Sequence, residues 1–463
     1  MIDFNNYLSP FSWRYGSTEM RKIWSEVYKR RLWRRIWISL ASVQAEFDLV
    51  RPEQVNDLLA HQKDVDMQQA LEVEAEIHHD LMAELKVFAK QCPVGGGALH
   101  LGATSMDVED NATALQIRES LDIILVKLGK LLENLAGKIL KWADHPVMAY
   151  THLQPAEPTT LGFRLAQYAQ DLFSDWENIG SIRSQVRGKG FTGAVGTGAS
   201  YADLIGMERL DDFEKRLSIV LDLPFYPITT QTYPRKQEYQ VVSALSSLGA
   251  SLYKFAFDLR VLQSPSIGEV SEPFTSNQVG SSAMPFKRNP INAEKIDSLG
   301  RVLAQMPRLA WDNAAHSLLE RTLDDSANRR SFLPESFLIT DELLITGLRI
   351  LDGLQIDEIA LQRNLSNYGQ FAALERVLMA LSKAGADRQA MHEGMRRLAM
   401  QAWETIESGE DNPIIDMICQ EPDFLNYLDE KEIRNLMEVS QYTGNAAQRA
   451  RRLAEKILEM VSS

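Results

Sequence analysis

The chain has 463 residues, 45% hydrophobic and 24% charged, which is the composition of a folded protein too long for a single hydrophobic core. Its net charge of −14, from 63 acidic and 49 basic residues, excludes an unspecific electrostatic grip on nucleic acid or an anionic membrane, but not a small anion held by a few local cations. Cys92 and Cys419 cannot build a disulfide framework, no apolar run approaches the ~18 residues of a membrane span, and the stretch from Met1 to Tyr7 lacks a basic-then-apolar leader, so a soluble cytoplasmic protein is expected.

A glycine run, Gly95-Gly96-Gly97, precedes the first long helix, which is expected between Asn111 and Trp142. There Ile117, Leu121, Ile124, Leu128, Leu131, Leu135 and Ile139 recur at helical spacing, and His145-Pro146 ends the run because proline disfavours helical geometry in the residue before it. A further helix is expected from near Thr159 through Leu165, Tyr168, Leu172 and Trp176 to about Val186. Glycines at 188, 190, 193, 196 and 198 interrupt it. From Val241, the seam Leu245, Leu248, Leu252, Phe255, Leu259 and Leu262 marks a long helix, and the small residues between these positions predict close packing against neighbouring helices. Ser264 to Pro290 is polar, contains four prolines and reads as a long loop of the kind that is often functional. Beyond it, Glu375–Leu381 starts one helix, Arg388–Glu407 forms another, and a turn at Tyr442–Ala446 precedes the last. Strand-like alternation is scarce. The expectation is an all-α fold of three helical domains, 1–102, 103–354 and 355–463, with a central bundle of long helices.

Three polar segments flank these helices. In His100-Leu-Gly-Ala-Thr104-Ser105-Met-Asp107-Val-Glu-Asp110-Asn111, Thr104 or Ser105 caps the helix with acids at its positive end, or the same free N–H groups receive a substrate carboxylate. Thr151-His152-Leu153-Gln154-Pro155-Ala156-Glu157-Pro158 sets a histidine near a helix start on a backbone stiffened by prolines, either as a structural hydrogen-bonder or as a positioned acid or base. The third is Gly280-Ser281-Ser282-Ala283-Met284-Pro285-Phe286-Lys287-Arg288-Asn289-Pro290. It fits a solvated turn, or a site where Lys287 and loop N–H groups stabilise a serine alkoxide and Lys287 and Asn289 receive a carboxylate.

Together these segments resemble the fumarase/aspartase superfamily, whose signature loop is similar to Gly280–Pro290. Glu320 to Arg330 (Glu-Arg-Thr-Leu-Asp-Asp-Ser-Ala-Asn-Arg-Arg), Arg14-Tyr15, Gln231-Thr232-Tyr233-Pro234-Arg235-Lys236 and Tyr442-Thr443-Gly444 resemble the adenylosuccinate lyase family within it, and the likeness runs from about Pro10 to Leu458. The resemblance implies a carbon–nitrogen lyase that removes fumarate by β-elimination from adenylosuccinate, giving AMP, and from the succinyl-carboxamide ribotide of purine biosynthesis, giving AICAR. It implies no metal or organic cofactor, and a homotetramer whose central helices form the core and whose active sites draw on three subunits.

Carried over residue by residue, the resemblance makes Ser281 the base, with Ser282 as the alternative, and His152 the acid that protonates the leaving nitrogen. Lys287 and Asn289 face the charge that builds on one succinyl carboxylate, and Thr104 and Ser105 hold the other. Arg14, Tyr15, Arg321, Ser326 and Arg330 fall on phosphate-binding positions, individually also readable as surface salt-bridge formers. Gln231 falls near the succinyl group or the base. His79 and Asp80 lie on a further binding segment and can orient His152, or simply cap a helix. Two positions depart from the pattern: His78 stands where similar enzymes often carry arginine, and Lys295 where some do, keeping the charge but losing the fork geometry. The competing readings are another fumarate-releasing lyase, such as argininosuccinate lyase, a carboxymuconate cycloisomerase, or a non-catalytic structural protein on the same fold. The Arg321–Arg330 segment argues against the first two, and retention of His152, Ser281 and Lys287 against the last.

Overall fold

The computed structural model describes residues 4–275 and 277–461; residues 1–3 of the N-terminal stretch, Ser276 of the proline-rich loop and residues 462–463 lie outside it. The fold is helical, as the seams require, and among the described residues no helix is long and apolar enough to cross a membrane. Contacts gather the chain into two compact units, each made of three separate stretches: Met1–Lys127, Asp175–Ala250 and Ser298–Ile345 in the first, and Leu128–Ser174, Ser251–Asp297 and Thr346–Ser463 in the second.

Within the first unit, the Glu26–Glu46 helix starts at Ser25, whose hydroxyl accepts from the Tyr28 N–H at 3.2 Å. It buries Trp33, Ile36, Trp37 and Leu40, but also two arginines. Arg34 meets the buried Glu84 at 2.6 Å, and Arg30 meets Glu84 and Glu74 at 3.3 Å each. These pairs tie it to the helices Met67–Ile77 and Asp80–Gln91 and so fix the corner between them. At that corner His78 adopts the left-handed conformation (φ 55°) and His79 caps the next helix.

The helix read from Asn111 begins earlier, at Ser105, and runs to Lys141; within the first unit it buries Ile117, Leu121 and Ile124. The Val241–Leu262 seam belongs to a helix starting at Lys236. Its small residues do permit close approach: a Cβ on Gly249 would lie 2.9 Å from Leu303 Cδ2.

The second unit contains a feature the sequence reading missed. Between the helices Ser105–Lys141 and Leu161–Gln185, the strands Pro146–Thr151 and Gln154–Thr160 pair antiparallel as a hairpin. His152 therefore sits at a hairpin tip and not near a helix start. A second, two-residue pairing joins Val270–Ser271 to Gln355–Ile356. The buried Glu269 carboxylate gathers Arg164 at 2.6 Å and the Asn364 side-chain amide at 2.9 Å, fixing the start of the proline-rich loop. Glu272 fixes its end by accepting from the N–H groups of Asn292 and Ala293 at 3.1 and 2.9 Å, where the Ile291–Leu303 helix begins. The helix expected from Glu375 starts at Glu358 and ends at Lys383, and Arg388–Glu407 is found with those bounds. With Ile414, Ile418, Phe424, Ile433 and Met437, these two helices bury a separate apolar cluster.

Candidate functional site

The first unit contains a cleft of about 770 Å³. His78, His79, Asp80, Thr104, Ser105, Gln231, Arg321, Ser326 and Arg330 line it, together with Glu74, Met106 and Glu109. Residues from four separate stretches of sequence thus share one cavity.

The lining is built mainly from helix ends. Thr104 precedes the Ser105–Lys141 helix, and its N–H donates to Asp107 Oδ2 at 3.0 Å while the Asp107 N–H returns to the Thr104 carbonyl at 3.0 Å. This reciprocal arrangement is capping, yet it leaves the Thr104 and Ser105 hydroxyls at the cleft. His79 caps the Asp80–Gln91 helix by accepting from the Met82 N–H at Nδ1 (3.5 Å), and its Nε2 lies 3.4 Å from Ser105 Oγ. With Nδ1 as acceptor, the ring proton belongs on Nε2, facing Ser105. Both the capping and the binding-segment readings of these positions are therefore compatible with the geometry.

The cleft arginines are paired in this state. Arg330 meets Asp80 at 2.8 Å with its own side chain largely exposed, a contact worth little that an arriving anion can replace. Arg321 meets Asp325 at 2.8 Å and its own segment's Thr322 carbonyl. Behind it lies a buried network that the sequence reading did not identify. Arg235 bridges Asp325 at 2.6 Å and Asp110 at 2.9 Å, and Arg329 meets Glu238. The arginines hold the Asp325 and Glu238 carboxyls below the usual range despite burial. Asp107 has its own buried partner, Lys189.

Arg14 and Tyr15 fall outside the cleft lining. They follow the turn Pro10–Ser12, where Arg14 lies 5.6 Å over the Trp13 ring and Tyr15 packs on Phe11.

The remaining sequence-picked residues belong to the second unit. His152 and Leu153 both have positive φ (53° and 60°), as a two-residue turn of this hand demands, and His152 is exposed. Such geometry costs a non-glycine residue roughly 1 kcal/mol, and here the two side chains are held out at the tip. In the Gly280–Pro290 loop, the Asn289 amide donates to the Gly280 carbonyl at 2.8 Å. A Cβ on Gly280 would lie 2.0 Å from the Lys287 carbonyl oxygen, so closing the loop requires glycine. Ser281 Oγ accepts from the N–H groups of Ala283 (3.3 Å) and Met284 (3.1 Å), while Ser282 and Lys287 are exposed. Two N–H groups aimed at one hydroxyl oxygen favour its deprotonated form. Lys295 is half-buried on the Ile291–Leu303 helix. Among the described residues, no group of three or more His, Cys, Asp or Glu side chains is arranged to hold a metal ion.

Residues 20–303 match a family described as lyase, and residues 370–453 match one described as adenylosuccinate lyase C-terminus. The chain is 37% identical over 464 residues to an adenylosuccinate lyase of Saccharomyces cerevisiae, covering 98% of this chain and 95% of that one. It is 32% identical to an adenylosuccinate lyase of Archaeoglobus fulgidus, covering 98% and 99%. Among solved structures, a 3-carboxy-cis,cis-muconate lactonizing enzyme from Pseudomonas putida shares the fold, with a TM-score of 0.86 and 24% identity over 98% of this chain and 99% of that one.

Proposed function

Because the chain belongs to the adenylosuccinate lyase family, we propose a division of its residues between the two halves of a β-elimination. The reaction is release of fumarate from adenylosuccinate, giving AMP; the succinyl-carboxamide ribotide is cleaved in the same way, giving AICAR. The C–H next to a carboxylate is weakly acidic, and the purine nitrogen leaves poorly unless it is protonated, so a base and an acid must act together.

In this reading the first unit's cleft holds the substrate. Arg321, Ser326 and Arg330 bind the phosphate with Arg14 and Tyr15, Thr104 and Ser105 hold one succinyl carboxylate, and Gln231 and the His78–His79–Asp80 corner contact the rest. Arg321 and Arg330 exchange Asp325 and Asp80 for phosphate oxygens. The observation that carries the reading is the gathering of nine positions from four stretches of sequence around one cavity.

Ser281 takes the proton and His152 gives one. The two N–H groups on Ser281 Oγ favour Ser281 over Ser282 as the base, since they stabilise an alkoxide before it forms. Lys287 and Asn289 face the carboxylate on which charge builds, and Lys295, on the Ile291–Leu303 helix that follows the loop, adds a further cation to the substrate-binding set. His152 and Ser281 stand on exposed turns, which suits delivery into a cleft of another copy in a homotetramer.

Incubation with adenylosuccinate tests the activity, with AMP and fumarate appearing in equal amounts as the expected result; turnover of neither purine substrate contradicts it. Mixing inactive His152→Ala and Ser281→Ala proteins tests the sharing of sites: recovered activity is expected, and none would count against a site built from several subunits.

A further inference from the structure

Glu109 stands in the wall between two cavities of the first unit. On one side is the substrate cleft; on the other is a smaller space of about 120 Å³ reaching Trp24, Lys29, Gln116 and Arg329. It lies four residues after Ser105 on one helix, and therefore on the same helix face as the proposed carboxylate-binding hydroxyl.

Its carboxyl makes no hydrogen bond among the described residues, in contrast to the acids around it. Asp80 accepts from Arg330 at 2.8 Å, Asp110 from Arg235 at 2.9 Å, and Glu74 from Arg30 at 3.3 Å. Half-buried, with no protein donor and only water to solvate it, the carboxylate is disfavoured, whereas a neutral carboxyl keeps a proton to donate.

Burial, reinforced by neighbouring acids, favours the neutral form. Burial, then Asp80 from the neighbouring helix and Asp110 from its own, push Glu109 up to about 7, opposed by Arg329 of the Ser326–Asp352 helix and Lys29 of the Glu26–Glu46 helix. The rest of the cleft lining adds Glu74, His78, His79, Arg321 and Arg330. A substrate bearing a phosphate and two carboxylates adds further negative charge to this space.

We propose that Glu109 is a proton-carrying binding residue: it takes up one proton from solvent as the anionic substrate enters the cleft, and its neutral carboxyl donates a hydrogen bond to that anion. The proposal rests on the cleft being the substrate site. Above the free-state value, each binding event must import a proton, so affinity falls as pH rises; below it the carboxyl is already protonated and contributes no pH dependence.

The test is KM for adenylosuccinate from pH 6.5 to 9 in the wild type and in Glu109→Gln, which keeps the shape and a donor but cannot titrate. The wild-type KM is expected to rise about fivefold between pH 7 and 8 and about tenfold between pH 8 and 9, with the variant nearly flat. Parallel profiles overturn the proposal, and a flat wild-type profile does so without any variant. Absence of turnover with adenylosuccinate contradicts the parent reading instead. Calorimetry of AMP binding at pH 8, in buffers of different ionisation enthalpy, then still decides Glu109: fewer protons taken up by the variant supports the proposal, and equal uptake overturns it.

Discussion

Lys189 and Asp107 meet inside the first unit with both side chains fully shielded from solvent. The Asp107 carboxylate also accepts from the N–H groups of Thr104 at 3.0 Å and Gly193 at 3.3 Å, and from the Tyr201 hydroxyl at 3.4 Å. Lys189 Nζ donates in addition to Thr192 Oγ1 at 2.9 Å and the Gly193 carbonyl at 3.1 Å. Lys189→Met preserves most of the apolar stem and removes the cation, leaving Asp107 buried. Breaking such a pair from one side costs ~3–5 kcal/mol. Because three donors remain on the carboxylate, the lower end, about 3 kcal/mol, is expected. Adding Asp107→Asn removes the orphaned charge, so the double variant should lose less than the two singles together, by about 1–3 kcal/mol. Urea unfolding at a fixed protein concentration, followed by circular dichroism, compares the wild type with the two single variants and the double variant. A loss below about 1 kcal/mol for Lys189→Met, or strict additivity in the double variant, would refute the reasoning. Since the same carboxylate holds the Thr104 N–H, Lys189→Met should also raise KM more than it lowers kcat.

Three further outcomes are expected. Ser281→Ala and His152→Ala should each fold normally by circular dichroism and lose nearly all turnover; an active Ser281→Ala alongside a dead Ser282→Ala would move the base by one residue. Arg321→Ala should raise KM for adenylosuccinate about tenfold or more, the weight of a charge-assisted hydrogen bond, with Arg321→Lys intermediate, and an unchanged KM would remove Arg321 from the phosphate site. Gly162→Ala should lower stability by about 1–3 kcal/mol, because its Cβ would meet Ala143 Cα at 2.6 Å and the Ile139 carbonyl oxygen at 2.7 Å; a thermal scan with an unchanged midpoint would show that this helix start can shift.

What could be read in advance divides along a physical line. The seams at Ile117–Ile139 and Leu245–Leu262 announced long helices because apolar side chains at helical spacing must be buried on one side, whatever the rest of the fold does. The hairpin at Pro146–Thr160 escaped for the opposite reason. Its tip, His152-Leu153, lacks the glycine or asparagine that usually marks two left-handed residues, and Pro155 and Pro158 look like strand breakers although they sit in a two-stranded ribbon with free edges. Thr104 and Ser105 stand out as a helix start able to receive a carboxylate, but the other cleft residues come from resemblance, since nothing in the spacing of Asp80, Thr104, Gln231 and Arg321 says that they meet. Least legible were the charges inside. Lys189, Arg235, Asp107 and Asp110 have the side chains of a solvated surface, and only three-dimensional pairing makes their burial tolerable. Glu109 is the sharpest instance: four positions from Ser105 it reads as an ordinary helix acid, and its significance comes from its burial and from Asp80, 29 positions earlier in the chain and lining the same cleft. A local sequence pattern can therefore place a hydroxyl at a helix start, but the protonation state of its neighbour is set by the fold.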